Sequence, residues 1–243
     1  YYPLWHLEVE DLLVLKNNKG TEDNRVRHMD YGVQFNKLMY ERLMSGGDIT
    51  LFSPNDVPGL YDAFFQDQDK FRELYEAAER KTSIRKKKIS ATELFSAFMQ
   101  ERKDTGRIYL QNVDHANEHS SFKTDVAPIK QSNLCCEIDL PTKPLDDIND
   151  VTGEIALCTL SAINWGSFAN PEDMEKACTL AVRGLDALLS YQNYPIIAAQ
   201  MATEGRRPLG VGIINLAFFL AKNDTSYSDP DALKLVDTWA QHW

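Results

Sequence analysis

Short apolar stretches alternate along this chain with longer amphipathic segments, and this alternation constrains the fold more than any other feature of the sequence. Alternating strands and helices are typical of α/β proteins, although the pattern does not distinguish an open sheet from a closed barrel. The stretches with strand character are residues 108–113, 133–140, 155–160 and 209–216.

The helices are predicted from capping residues and from apolar spacing. Asn170-Pro171 begins a helix whose apolar positions follow the i, i+3, i+4 spacing of a buried stripe: 174, 177, 178, 181, 185, 188 and 189. Ser90 and Glu93 have the spacing of a capping box, and Gly106 is expected to end that helix. Further helices are predicted for residues 8–16, for 61–80 and from Asp229-Pro230 onward.

Length and composition favour one domain. The 243 residues are 43% apolar, which is enough to bury a substantial core, and no shift in composition marks a boundary. We therefore expect residues 1–243 to be one domain or part of one. The chain starts without methionine and its last helix reaches Trp243 without a stop signal, so we expect an excerpt from a longer polypeptide.

The charge balance excludes several function classes. Acidic residues outnumber basic ones 36 to 26, and the net charge of -10 argues against binding to a nucleic-acid backbone. No stretch approaches the roughly 20 apolar residues of a membrane span, and the first residues lack the basic region of a signal peptide. The four cysteines lack the paired spacings of a structural zinc site, so no metal is expected and a reducing, cytoplasmic location fits best.

Three chemically versatile side chains occur at alternate positions of the stretch 133–140. If this stretch is extended, Asn133, Cys135 and Glu137 share one face, about 6.6 Å apart, and Cys136 points to the other. An amide can hold a hydroxyl, a carboxylate can move a proton, and a thiol can act as nucleophile, reductant or radical carrier. The alternative is simple packing, because free cysteines are often buried, but a carboxylate in an apolar strand is costly unless it is used or paired.

Other candidate residues have simpler interpretations. Cys178 falls on the apolar stripe of the helix after Asn170 and is expected in the core. Cys136 is interpreted as a core substitution, and Cys158, taken alone, is also more consistent with packing. The Gly210-Val211-Gly212 segment lacks the third glycine and the acidic residue of a dinucleotide fingerprint, so close packing in a strand is favoured.

Several motifs together resemble the catalytic large subunit of class I ribonucleotide reductases, with the class Ia enzymes of enteric bacteria and their phages the most similar. The resemblance is carried by residues 131–138 (QSNLCCEI), 140–142 (LPT) and 153–158 (GEIALC), and it extends to 5–10 (WHLEVE), 24–31 (NRVRHMDY), 52–60 (FSPNDVPGL) and 105–109 (TGRIY).

The resemblance implies a fold and a set of site residues. The fold would be part of a ten-stranded α/β barrel made of two antiparallel halves, with a central finger loop that carries the radical cysteine. Cys135 matches that cysteine, which as a thiyl radical removes the 3' hydrogen of the substrate. Glu137 matches the general base for the 3' hydroxyl, and Asn133 matches an amide that holds the substrate hydroxyls. Cys158 matches one of two reductant thiols, and Leu160 matches a nearby pocket position.

The resemblance also implies partners. The substrates would be ADP, CDP, GDP and UDP, the radical would come from a metal-containing small (beta) subunit, and thioredoxin or glutaredoxin would supply electrons. The large subunit would form a homodimer, with no cofactor bound by this segment and with ATP and deoxynucleotide effectors bound outside it. The thiol partner of Cys158 would lie upstream of Tyr1.

Two alternatives remain open at the level of sequence. A cobalamin-dependent ribonucleotide reductase shares the Asn-x-Cys-x-Glu pattern and differs in how the thiyl radical is made. The chain could also be a fragment that is inactive on its own, since the phosphate-binding loop and the effector regions are expected outside residues 1–243. A tyrosine pair and a terminal cysteine pair downstream would distinguish the class I enzyme.

Overall fold

The computed structural model of the protein describes residues 1–243, which form two compact units, residues 1–142 (unit 1) and 143–243 (unit 2). The strands of unit 1 are β1 (Tyr2–Pro3), β2 (Gly32–Phe35), β3 (Asp48–Phe52), β4 (Lys86–Ser90) and β5 (Tyr109–Asn112). Its helices are α1 (Val9–Leu13), α2 (Lys37–Met44), α3 (Leu60–Gln66), α4 (Gln68–Arg80), α5 (Ala91–Thr105) and α6 (Val113–Glu118).

The strands of unit 1 form two small sheets. The first has the parallel order β1-β2-β5, with Val33 opposite Leu110 and Gln34 opposite Gln111. The second is the antiparallel pair β3-β4. An aromatic cluster lies at the centre of the core, where the Trp5 ring packs against Phe64 and Phe71 at centroid distances of 5.5 and 5.9 Å. Burial of such rings is a main source of stability in a unit of this size.

Unit 2 has a smaller sheet and its own core. Its strands β6 (Leu160–Asn164) and β7 (Gly210–Ile214) are parallel, and its helices are α7 (Pro171–Tyr191), α8 (Ile197–Arg206), α9 (Leu216–Lys222) and α10 (Pro230–Ala240). The Phe219 ring packs against Trp165 and Trp239, at centroid distances of 5.4 and 4.6 Å. Cys178 lies in this core, as predicted, and is only 7% exposed.

The predicted α/β class is confirmed. The seven strands form three separate sheets, and residues 1–243 contain no closed barrel. No helix is both long enough and apolar enough to cross a bilayer.

Helices with strong local signals have the predicted bounds. Asn170 caps α7 by accepting a hydrogen bond from the Asp173 amide at 3.0 Å, and Pro171 occupies the first turn. Gly106 ends α5 in the left-handed conformation, at φ 65°. The predicted capping box at Ser90 is wrong, because the Ser90 side chain makes no capping bond and the Ala91 amide donates to the Gly47 carbonyl instead.

Two predicted helices differ from the structure. The segment 61–80 is not one helix, because the Asp67 side chain accepts a hydrogen bond from the Lys70 amide at 2.9 Å and so begins a second helix, α4. The helix predicted for residues 8–16 is shorter, since α1 ends at Leu13. Beyond it the buried Lys16 ammonium binds the Met29 carbonyl and the Asp30 carboxylate, which are distant in sequence.

Candidate active site

Residues 133–140 form a turn and a loop, so the strand predicted for this stretch is wrong. The Cys136 amide donates to the Asn133 carbonyl at 3.1 Å, which closes a four-residue turn that we call the Asn133 turn (residues 133–136). Cys136 has a positive φ of 60°, a conformation that residues other than glycine, asparagine and aspartate seldom adopt. The extended row of three side chains is therefore absent.

The side chain of Asn133 explains why the segment turns. Its Oδ1 accepts hydrogen bonds from the backbone amides of Glu137 and Ile138, at 3.1 and 3.0 Å. Asparagine side chains compete in this way with the backbone partners that a strand would need. The Asn133 Nδ2 also donates to Glu137 Oε1 at 2.6 Å. The side-chain amide of Asn133 and the carboxylate of Glu137 are therefore brought together by a tight turn and not by lying on one face of a strand.

The two adjacent cysteines differ in environment. Cys135 is exposed at the third position of the Asn133 turn. Cys136 is half-buried, and its thiol lies 3.7 Å from the Leu110 carbonyl. Cys136 belongs to neither hydrophobic core, so its interpretation as a core substitution is wrong. The reason is the turn, which places its side chain against the edge of β5.

Two buried glutamines hold the loop of residues 129–139, which contains the Asn133 turn. Gln34 on β2 donates through Nε2 to Gln111 Oε1 at 2.9 Å and to the Lys130 carbonyl at 2.8 Å. Gln111 on β5 donates in turn to Asp139 Oδ1 at 2.9 Å. Amides in the middle of apolar strands are costly unless they are hydrogen-bonded, and this is the signal by which sequence reasoning could have found them.

Asn117 holds the start of the same loop. Its Nδ2 donates to the Ile129 carbonyl at 2.9 Å, and its Oδ1 accepts from the Ile129 amide at 2.8 Å. The side chain is only 6% exposed, so it takes the place of a backbone partner in a region that water does not reach.

We expect Asn117→Ala to loosen the loop, because it leaves the buried amide and carbonyl of Ile129 without partners. Such a loss costs about 1–3 kcal/mol per group. The measurement is hydrogen–deuterium exchange of residues 129–138, which should become faster while exchange in α7 stays unchanged. Replacement of the exposed Asn18 with alanine is the control. Unaltered exchange in the Asn117→Ala protein would contradict a role for this side chain in holding the loop.

Tyr1 and Ser132 also contact the turn and were not identified from sequence. The Tyr1 hydroxyl donates to the Asn133 carbonyl at 2.8 Å, and the Ser132 hydroxyl donates to the Ile138 carbonyl at 2.9 Å. Burial and the neighbouring Cys136 thiol raise the pKa of the Tyr1 phenol, so it stays a hydrogen-bond donor at neutral pH.

Cavities lie on both sides of the Asn133 turn. One of about 320 Å³ is bounded by Asn133, Leu134, Asp30 and three tyrosines, Tyr1, Tyr31 and Tyr109. The other, of about 520 Å³, is bounded by Cys136 and Asp139 together with residues of β5 and α6. Asn133 and Cys136 therefore line different cavities.

Cys158 lies in unit 2, in a loop that precedes β6. The strand predicted for residues 155–160 is wrong in position, since β6 begins at Leu160. The backbone of residues 155–159 makes other hydrogen bonds. The Ile155 amide donates to the Ala198 carbonyl at 3.2 Å, and the Thr159 carbonyl accepts from the Gly210 amide at 3.0 Å. Cys158 is exposed, between these two attachment points.

An ion-pair cluster anchors the start of this loop. Glu154 binds Lys143 at 2.9 Å and also pairs with Arg206. Burial alone would raise the pKa of Glu154, but the hydrogen bonds from Arg206 and Lys143 outweigh it and the pKa is lowered. The carboxylate therefore remains charged at neutral pH and keeps both cations in place.

Leu160 and Gly210 contact each other across the two strands of unit 2. Leu160 is 52% exposed, and a Cβ on Gly210 would lie only 2.9 Å from its Cδ2 atom. The interpretation of Gly210 as a close-packing glycine in a strand is confirmed.

Burial raises the pKa of the Cys178 thiol in the core of the same unit, which keeps it protonated and unreactive.

A family profile described as "Ribonucleotide reductase, barrel domain" matches residues 1–242 and so covers both units. This chain belongs to the ribonucleotide reductase barrel-domain family. The predicted resemblance to the reductase large subunit is thereby confirmed.

Individual relatives agree with this assignment. The ribonucleoside-diphosphate reductase subunit alpha of Haemophilus influenzae is 65% identical over 97% of the chain, and the subunit alpha of reductase 1 from Escherichia coli is 64% identical over the same share. The corresponding subunit of phage T4 is 55% identical over 96% of the chain. The chain spans 31% of the length of each of these relatives.

Proposed function

We propose that this chain is the central part of the large subunit of a class I ribonucleoside-diphosphate reductase, which converts ribonucleoside diphosphates to 2'-deoxyribonucleoside diphosphates. The observation that carries the proposal is the hydrogen-bonded pair of Asn133 and Glu137 beside the exposed Cys135. An exposed thiol next to an oriented carboxylate is what radical abstraction coupled to proton removal requires. The relatives' names as subunit alpha support this enzyme over the cobalamin-dependent alternative.

In this mechanism, Cys135 as a thiyl radical removes the 3' hydrogen of the ribose, and Glu137 takes the proton of the 3' hydroxyl. Asn133 holds one oxygen of the Glu137 carboxylate, which leaves the other to face a substrate hydroxyl. Asn133 would thus orient the base as well as contact the substrate. Cys158 delivers an electron at the 2' carbon as one of two reductant thiols, and Leu160 contacts the substrate nearby.

The remaining partners follow from the family. A metal-containing small (beta) subunit would generate the radical, thioredoxin or glutaredoxin would reduce the disulfide that Cys158 forms, and two large subunits would form a homodimer. We propose that residues 1–243 are one part of the ten-stranded barrel, with the Asn133 turn at the tip of its finger loop. The chain alone would be inactive because the partner of Cys158 lies outside it. The four cysteines are present as thiols, which fits a cytoplasmic enzyme.

We expect Glu137→Gln in the full-length subunit to slow hydrogen abstraction about 100-fold or more, because a general base contributes roughly 10²–10⁴ in rate. Glutamine is nearly isosteric and still offers an oxygen to Asn133 Nδ2, so the turn and substrate affinity should persist. The measurements are isotope release from 3'-labelled substrate and the Kd of the nucleotide. Glu172→Gln, at an exposed position of α7, is the control. A normal rate of release from Glu137→Gln would remove Glu137 from the role of base.

A further inference from the structure

The two cysteines of the Asn133 turn are neighbours in the chain, and the proposed mechanism uses only Cys135. Cys136 and Cys135 are also the only cysteines of unit 1, since Cys158 and Cys178 both belong to unit 2. We propose that Cys135 and Cys136 form a reversible vicinal disulfide when the protein meets a peroxide, and that Cys136 thereby protects Cys135 from irreversible oxidation.

The environments of the two thiols suit the two steps of such a reaction. Cys135 is exposed, so a small oxidant reaches it first. The Cys136 thiol is half-buried and contacts the Leu110 carbonyl at 3.7 Å, which is a weak interaction for a sulfur donor. Rotation of the Cys136 side chain toward Cys135 would give up this contact and the interaction with the Tyr1 hydroxyl, both of which are weak for a sulfur partner. Because the two residues are adjacent in the chain, the two thiols stay near each other, although a bond between them is strained.

The chemistry balances with hydrogen peroxide as the oxidant. The Cys135 thiol attacks one peroxide oxygen, the O–O bond breaks, and Cys135 sulfenic acid and one water are formed. The Cys136 sulfur then attacks the Cys135 sulfur, the S–O bond breaks, and the hydroxyl leaves with the Cys136 proton as a second water. Both sulfurs are oxidised by one electron each, and peroxide is reduced to two waters. A dithiol then reduces the disulfide to the two thiols by exchange and is itself oxidised to a disulfide.

Strain makes this disulfide easy to reduce. Adjacent Cα atoms are about 3.8 Å apart, whereas disulfides usually join Cα atoms about 4.4–6.8 Å apart. The turn already holds Cys136 in the left-handed region, at φ 60°. Strained and exposed disulfides have high reduction potentials and are the labile ones. The bond would therefore form under peroxide and open again when a dithiol reductant returns.

The consequence for activity depends on the proposed function, because a Cys135 sulfur in a disulfide has no hydrogen to exchange and cannot become the thiyl radical. The modification itself does not depend on that function. Glu118 and Glu137 flank the site, so a glutamate-specific protease releases both cysteines, without Cys158, in a single peptide of residues 119–137, which allows the two questions to be separated.

The experiment treats the reduced full-length subunit with an excess of hydrogen peroxide, alkylates remaining thiols and analyses this peptide by mass spectrometry. We expect the peptide to lose two hydrogens, to take up no alkylating agent, and to regain both thiols with dithiothreitol. In Cys136→Ser, which is nearly isosteric, Cys135 should instead gain two or three oxygens, and dithiothreitol should not reverse this. Reductase activity should return with the thiols in the original protein and stay lost in the variant.

Three results would overturn the proposal. The first is equal accumulation of sulfinic acid on Cys135 in the original protein and in Cys136→Ser. The second is survival of both thiols in the peptide, and the third is a disulfide from Cys135 to a cysteine other than Cys136. Loss of two hydrogens without any change in activity would instead support the modification and contradict the role of Cys135 in catalysis.

Discussion

Cys135→Ser in the full-length subunit is expected to reduce deoxynucleotide formation below detection. A serine hydroxyl has a much stronger bond to hydrogen than a thiol, so it cannot take part in the exchange that starts the reaction. Cys135 is exposed and lies on a turn that backbone and Asn133 bonds close, so the substitution should leave the loop intact. The measurement is product formation from a ribonucleoside diphosphate with the small subunit and a reductant present.

Two controls accompany this variant. Cys136→Ser, assayed under fully reducing conditions, should retain near-normal turnover, because Cys136 has no part in the proposed reaction. Hydrogen exchange of residues 129–138 in Cys135→Ser should match the original protein. Turnover by Cys135→Ser comparable to the original would show that another group abstracts the 3' hydrogen.

Cys158→Ser is expected to separate the first step of the reaction from the later ones. The 3' hydrogen should still be removed, because Cys135, Glu137 and Asn133 are unchanged, but normal deoxynucleotide should not form because one of the two reductant thiols is missing. The measurement is isotope release from 3'-labelled substrate alongside product analysis. If Cys158→Ser, like Cys135→Ser, released no isotope and formed no product, this would count against Cys158 as a reductant.

The loop that carries Cys158 has several attachments that Cys158→Ser does not remove. The loop is attached through the Ile155 amide, the Thr159 carbonyl and the Glu154 ion pairs, and none of these bonds uses the Cys158 side chain. Cys178→Ser is the matched control, since it removes a buried thiol of the same unit that the mechanism does not use. It should affect stability more than chemistry.

The helices show which parts of the fold the sequence could predict. The first turn of α7 and the last turn of α5 depend on Asn170, Pro171 and Gly106, whose effects act over three or four residues. The same local rules did not reveal the break at Asp67, because an apolar and charged pattern that is compatible with one long helix also fits two. There the capping bond of a single aspartate decided the outcome.

The strands were harder to predict, since their hydrogen-bond partners are distant in sequence. The stretch 133–140 has the composition of a strand, yet the Asn133 side chain captures the amides that a neighbouring strand would have paired. The stretch 155–160 is displaced for a related reason, because Glu154 and Ile155 bond to Lys143, Arg206 and Ala198. In both cases the segment bonds to partners that the amino-acid composition does not indicate, so it does not pair in a sheet where the strand was predicted.

The sequence by itself determined the chemistry that is available: an amide, a thiol and a carboxylate within five residues, a second thiol joined to the first, and a family pattern around them. These are covalent facts, independent of folding. Only the tertiary structure decided how the amide, the thiols and the carboxylate are oriented. Gln34 reaches the Lys130 carbonyl across 96 positions, and Tyr1 reaches the Asn133 carbonyl across 132, so the turn is held by bonds that exist only after β2 and β5 have paired. The physical reason is that buried polar groups must find partners wherever the fold brings them.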